Sequence, residues 1–157
     1  MNEIRSKKPA ITVASVAARD GRFLVVEEWA GEKLVVNQPA GHLEPGESVL
    51  EAVVRETREE TGWGFRPDFL IGVYLWEHPS RTHSYLRLAF GGEALDHDPA
   101  ATLDQGIERP LWLTPEELES RREDLRSPLV LRCIRDCLNG ERYPLGLLKT
   151  LLADRSA

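Results

Sequence analysis

One helix constrains this chain more than any other feature, because it carries three glutamates where a helix tolerates them least. The segment from about Ser48 to Thr61 has helical periodicity and ends at Gly62. With 100° per residue and Val49 set at zero, Leu50, Val53, Val54 and Thr57 fall on one arc, the stripe expected to face a core. Glu56 and Glu60 lie within about 20° of Val49 on that projection, and Glu59 lies on their polar side. Three carboxylates thus occupy neighbouring turns at the edge of a buried stripe. Like charges at these spacings cost roughly 0.2–0.5 kcal/mol per pair. Desolvation and the nearby helix C-terminus add to that cost. A divalent cation offsets it directly, since hard cations such as Mg²⁺ take carboxylate oxygens and keep waters for substrate phosphates. The alternative is a solvated acidic face with Arg55 and Arg58 as salt-bridge partners.

The segments around this helix have the two-residue period of strands. Residues 10–18 are small and β-branched, Asp20-Gly21 is a hairpin turn signal, and Phe23–Glu28 is the return strand. Leu34–Asn37 is a short strand leading into Gln38-Pro39-Ala40-Gly41, and Gly41–Gly46 is a loop. Asp68–His78 and Tyr85–Glu93 are strands, residues 94–106 a long loop, and Arg109–Leu113 a last strand. Thr114-Pro115-Glu116-Glu117 is a capping box that opens one helix, and Ser127-Pro128 opens another that stops at Asn139-Gly140. This order predicts an α+β chain, a mixed sheet between helical layers, with residues 1–157 as a single domain.

Charge narrows the function. Twenty Lys and Arg are spread among 26 Asp and Glu, giving a net charge of −6 and no basic stripe, which argues against a nucleic-acid partner. An acidic chain that binds an anionic substrate needs a cation to mediate. The apolar stretches are too short to span a bilayer. Arg5, Lys7 and Lys8 before Pro9–Ala18 have the outline of a weak signal peptide. Thr12, Ser15 and the closing Arg19-Asp20 fit a strand better, which places the protein in the cytoplasm. Cys133 and Cys137, four residues apart, are expected as small apolar residues on one helix face rather than a redox or metal pair.

The loop before the helix decides between the two readings of its glutamates. Gly41, Glu47 and then Arg55-Glu56-Thr57-Arg58-Glu59-Glu60-Thr61-Gly62-Trp63 resemble the 23-residue signature of the Nudix family, with every fixed glycine and charged position filled. Thr57 departs from that signature, at a position usually aliphatic. The resemblance implies an α/β/α sandwich around a mixed sheet. It implies that Glu56, Glu59, Glu60 and the carbonyl of Gly41 ligate Mg²⁺ or Mn²⁺, and that Glu47 and Arg55 form an ion pair orienting the loop. Phe23–Glu28, Asn37–Glu44, Leu86-Arg87, Arg126–Val130 and Arg142–Leu145 are similar to the NudJ phosphatase subgroup of that family. Its members act on nucleoside di- and triphosphates and on pyrimidine or thiamine diphosphates, releasing phosphate.

Hydrolysis requires a base to deprotonate water. Glu59 is one candidate, and Asp104 and Glu108 lie in the region where other Nudix enzymes supply a loop base, with Glu108 preferred. Arg87 alternates with Leu86 and Leu88, so it points away from them and suits a phosphate, or a surface salt bridge. Asn37 and Gln38 are placed to hydrogen-bond a base or ribose. Trp29, Trp76 and Tyr85 suit ring stacking or core packing, and His42 a phosphate contact. Three rival functions stay open: an ADP-ribose or dinucleotide pyrophosphatase, a non-catalytic nucleotide sensor, and an RNA 5′-end hydrolase, the last disfavoured by charge. The aliphatic tail Leu145–Leu152 suits either a core cover or an interface, so monomer and homodimer are both compatible.

Overall fold

The computed structural model describes residues 8–153. Strand β1 (Ala10–Arg19) turns through Asp20 and Gly21, both at positive φ, into β2 (Arg22–Ala30). β3 (Lys33–Asn37) pairs antiparallel with β2, and the short β4 (Ala40–His42) pairs antiparallel with β1. Helix α1 (Val49–Thr61) follows, then the long antiparallel pair β5 (Trp63–Glu77) and β6 (Ser84–His97). β6 also runs parallel to β1, from Ala10 opposite Tyr85 to Ala17 opposite Gly92, which makes the sheet mixed. β7 (Ile107–Leu113) closes on β2, and α2 (Pro115–Ser120) and α3 (Leu129–Leu138) are the other α-helices of the described residues. β1, β4, β5 and β6 form one sheet and β2, β3 and β7 a second, joined where Ala18 and Arg19 pair with Phe23 and Arg22.

Alternation along β1 and β6 sorts side chains to the two faces. Val13, Ala17, Leu88 and Phe90 pack with Ala52 and Val53 of α1. Val16 and Ala89 point the other way, onto Leu131, Cys133 and Ile134 of α3. The result is the expected α/β/α arrangement. Local signals act as expected at the helix ends. Ser48 Oγ accepts from the Glu51 amide, Gly62 adopts φ 74° and returns its N–H to Arg58, and both halves of the Thr114–Glu117 capping box form.

Three boundaries differ from the sequence pattern. β5 starts at Trp63 rather than Asp68, and β6 runs to His97, so the loop covers only residues 98–106. Register shifts after Trp63, Pro67 and Leu70 break the two-residue period, which hides these strand ends in the sequence. The stretch expected to be loop from Gly41 begins inside β4. On α1 the buried face is turned toward the glutamates: Ala52, Val53, Glu56, Thr57, Glu60 and Thr61 are buried, whereas Val54 is 38% exposed. The cause is the packing of α1 against β1 and β4, where Thr57 Oγ1 donates to Ser15 Oγ at 2.9 Å. In the tail, Leu145 and Leu148 lie on the core while Leu147 and Leu151 are exposed. Among the described residues no helix is long and apolar enough to cross a membrane.

Candidate active site

The last two turns of α1 and the loop 98–106 assemble a group of acids. Carboxylate oxygens of Glu56, Glu59 and Asp104 all lie within 4.8 Å of one another. Asp104 arrives there because its amide donates to the Glu59 carbonyl at 2.9 Å, docking the loop on the end of the helix. Glu56 is buried against Gly41, and a Cβ at Gly41 would overlap the Glu56 carboxylate. Only glycine therefore lets β4 approach this closely.

Arg55 supplies the cationic counterpart. Its guanidinium donates to Glu47 through Nε at 2.9 Å and Nη2 at 2.6 Å, and through Nη1 to Glu56 at 2.8 Å and Glu59 at 3.1 Å. Nη2 also donates to the His42 carbonyl at 3.1 Å. The paired hydrogen bonds from Arg55 hold the Glu47 carboxyl below its ordinary range, despite burial. Glu56 moves the opposite way. Burial raises its proton affinity by more than Arg55 lowers it, and the charges of Glu59 and Asp104 raise it further. Glu60 stands outside the trio. It accepts from the Ala40 amide at 3.3 Å, and burial, with the Glu28 charge next, pushes it up to about 9. Carboxylates packed and desolvated in this way favour a cation. Hard oxygen donors gathered within 4.8 Å of one another suit a hard divalent cation.

A cavity of about 490 Å³ lies across β4 from this group. Thr12, Asn37 and Arg87 line it, with Glu28, His42 and Leu129, and with Trp76 and Tyr85 stacked on each other at 6.0 Å and 12°. Ala40, Gly41 and Glu28 belong to both regions, since they line the cavity and also touch or bias Glu60 and Glu56.

Residues 6–132 match the family profile described as the NUDIX domain. This chain is a Nudix hydrolase. It is 42% identical over 141 residues, 90% of the chain and 91% of the relative, to a protein named Phosphatase NudJ from Shigella boydii, and equally so to its namesake in Escherichia coli K12. A NUDIX hydrolase from Nitrosomonas europaea superposes with a TM-score of 0.90 at 45% identity, covering 92% of this chain and 98% of that one. A UDP-X diphosphatase with a TM-score of 0.68 and 20% identity, covering 88% of this chain and 66% of that one, shares the fold. As a Nudix hydrolase the chain is an enzyme acting on phosphoanhydride bonds.

The Nudix helix carries its residues largely where the sequence places them, and the surrounding strands do not. Asp104, not Glu60, completes the trio with Glu56 and Glu59. Glu108 is directed elsewhere, its carboxylate accepting from Trp29 Nε1 at 3.0 Å on the exposed side of β7. Gln38 is 1% exposed and fully engaged, so it cannot meet a base or ribose. Its Oε1 accepts from Arg87 Nη1 at 3.1 Å, and its Nε2 donates to the Val130 carbonyl at 2.7 Å, which ties Arg87 to α3. Arg87 does point opposite to Leu86 and Leu88, but it is buried, not at a surface salt bridge. Burial there lowers its pKa, the Cys133 and carboxylate neighbours notwithstanding. Asn37 and Tyr85 line the cavity, and His42 lines it beside Tyr85. Thr12 was hidden by its place in an apolar strand. Both cysteines are unpaired, and burial pushes the Cys133 thiol up to about 11.

Proposed function

We propose that the chain is a metal-dependent phosphatase of nucleoside di- and triphosphates or related diphosphates, such as thiamine or pyrimidine diphosphates, releasing inorganic phosphate in the cytoplasm. The observation that carries this reading is the shared wall. Gly41 packs on Glu56 and lines the ring-sized cavity, so a ligand in the cavity meets the acidic group through its phosphates. The 42% identity to a protein named Phosphatase NudJ supports release of a terminal phosphate.

In this reading Glu56, Glu59 and Asp104, with the Gly41 carbonyl and Glu60, hold Mg²⁺ or Mn²⁺. Such a cation supplies charge neutralisation at the phosphates and a more acidic water. Glu59, more exposed than Glu56 and Glu60, accepts the proton of the attacking water. We assign that role to Glu59 and not to Glu108, whose carboxylate is taken by Trp29. Arg55 fixes the rotamers of Glu56 and Glu59 by bonding both while anchored to Glu47. Asn37, Arg87 and Tyr85 bind the remainder of the substrate.

The test is direct phosphate release from nucleoside di- and triphosphates, thiamine diphosphate and ADP-ribose, each with Mg²⁺ and with EDTA. Phosphate from the terminally phosphorylated substrates, abolished by EDTA, is expected. Phosphate only from ADP-ribose, and only after a phosphatase is added, would replace this reading with a pyrophosphatase.

A further inference from the structure

Among the described residues only three buried side-chain polar atoms lack a hydrogen-bond partner in the protein: Thr12 Oγ1, Asn37 Oδ1 and Arg87 Nε. Their residues come from three different strands, each is more than nine-tenths buried, and all three line the same cavity. Unpaired buried polar atoms are costly and rare, so three around one cavity form a built surface rather than scattered packing faults.

Their chemistry is fixed by what their other atoms do. Asn37 Nδ2 donates to the Glu28 carboxylate at 3.1 Å. A carboxylate can only accept, so the amide nitrogen must face Glu28 and the oxygen is left for a donor. The Arg87 guanidinium can only donate, which orients the Gln38 amide and leaves Nε–H for an acceptor. The hydroxyl of Thr12, a residue that stands opposite Arg87 in the register of β1 and β6, serves either role. An acceptor, a donor and a hydroxyl therefore line a cavity walled by the stacked pair Trp76 and Tyr85.

We infer that Thr12, Asn37 and Arg87 read the hydrogen-bonding edge of a planar nitrogen heterocycle, one that presents an N–H beside a carbonyl or ring-nitrogen acceptor and stacks on Trp76–Tyr85. This rests on the cavity being the substrate pocket, and it makes the ring, not the phosphate chain alone, the selected part of the substrate. Glu28 is a positioning residue, since it sets which end of Asn37 faces the ring. A site built to hydrogen-bond a ligand edge discriminates strongly against ligands that lack it.

The experiment compares ligands that cannot be hydrolysed at a phosphoanhydride. Binding of cytidine and guanosine monophosphates and of ribose 5-phosphate, which lacks only the base, is measured by calorimetry on the full chain, together with melting temperature. At least one nucleotide is expected to bind wild type ten-fold or more tighter than ribose 5-phosphate. Thr12→Val and Asn37→Leu each reduce that preference several-fold and change ribose 5-phosphate affinity less than two-fold. Thr12→Val also melts no lower than wild type, because it removes an unpaired hydroxyl at constant shape. Nucleotides binding no tighter than ribose 5-phosphate, equal losses for both ligand types, or a lower melting temperature for Thr12→Val overturns the inference. Ring-dependent binding without phosphate release from any diphosphate would leave it standing and refute the phosphatase reading instead.

Discussion

The acidic end of α1 and the floor of the cavity meet at β4, and they are built in opposite ways. The acidic side comes from one helix and its entry loop, residues 41–62, with Asp104 docked on it. Its cationic neighbour, Arg55, reaches three of its carboxylates by hydrogen bonds. The floor draws Thr12, Glu28, Asn37, Trp76 and Arg87 from five strands, and it leaves three polar atoms unmatched. The acidic side is thus drawn from one short segment with a single outside residue, Asp104, and in the proposed reading it serves the phosphates. The floor keeps hydrogen-bonding capacity open toward the cavity, which is why we place substrate selection there. Mutations on the two sides are expected to separate turnover from selection.

The largest effect is expected at the acidic trio. Glu56→Gln and Glu59→Gln each lower kcat/KM by about 10³-fold, roughly 4 kcal/mol of transition-state stabilisation. Melting temperature is little changed, because each keeps its volume. Steady-state phosphate release under saturating Mg²⁺ checks this. Activity within ten-fold of wild type in both variants would remove the reaction from this helix.

Gly41→Ala is next. The added Cβ meets the Glu56 carboxylate, the far end of a flexible side chain, so the carboxylate moves and the backbone stays. Overpacking costs about 1–3 kcal/mol, and we expect about a 100-fold fall in kcat/KM with a smaller loss of stability. A large drop in melting temperature with kcat/KM preserved would show that Gly41 serves the fold alone.

What was legible in the sequence follows the same division. The signature from Gly41 to Trp63 is contiguous, so helical spacing put Glu56 beside Glu59, and the family resemblance implied the pair of Glu47 with Arg55. Helix ends were legible for a similar reason, since Ser48, Gly62 and Thr114 act on their own neighbours. Asp104 was visible only as one of two loop acids. What singles it out is a backbone bond to Glu59 across 45 positions of sequence, which no local pattern encodes. Gln38 reads as a polar residue before a loop, and its burial depends on α3 arriving over it. Thr12 reads as one more β-branched strand residue, and only the parallel pairing of β1 with β6 sets it against Arg87. The apolar pattern of α1 misjudged Val54 because β4 packs on the glutamate side of the helix.

Gln38→Leu tests whether the floor is held from behind. The variant frees Arg87 Nη1 and the Val130 carbonyl together inside the protein. Each unpaired buried group costs about 1–3 kcal/mol, so a loss of about 2–4 kcal/mol in urea unfolding is expected. Nucleotide affinity falls more than kcat does. A variant as stable as wild type, with unchanged KM, would mean that Arg87 holds its place without this tether.

The smallest effect is expected from two adjacent glutamates on β2 that face opposite ways. Glu28 turns to the cavity and holds Asn37. Glu27 turns away and accepts from Arg109 Nε at 2.7 Å and Arg121 Nη2 at 2.8 Å, joining β2 to β7 and to the end of α2. Burial raises the Glu27 pKa, but the two arginines more than offset it and hold the carboxyl below its ordinary value. A depressed folded-state pKa contributes stability that is present above the unfolded value, about 4.3, and is lost as pH falls through the folded one. Glu27→Gln should therefore cost about 1–2 kcal/mol at pH 7. The gap to wild type narrows as pH falls below the unfolded value and through the lower folded one, where wild-type Glu27 takes up its proton. Its kcat/KM at pH 7 should stay within two-fold of wild type, because neither arginine lines the cavity. A gap that does not narrow at all with falling pH would assign the loss to packing rather than charge. A change in nucleotide affinity would show that β2 does not keep its structural and ligand-facing glutamates separate.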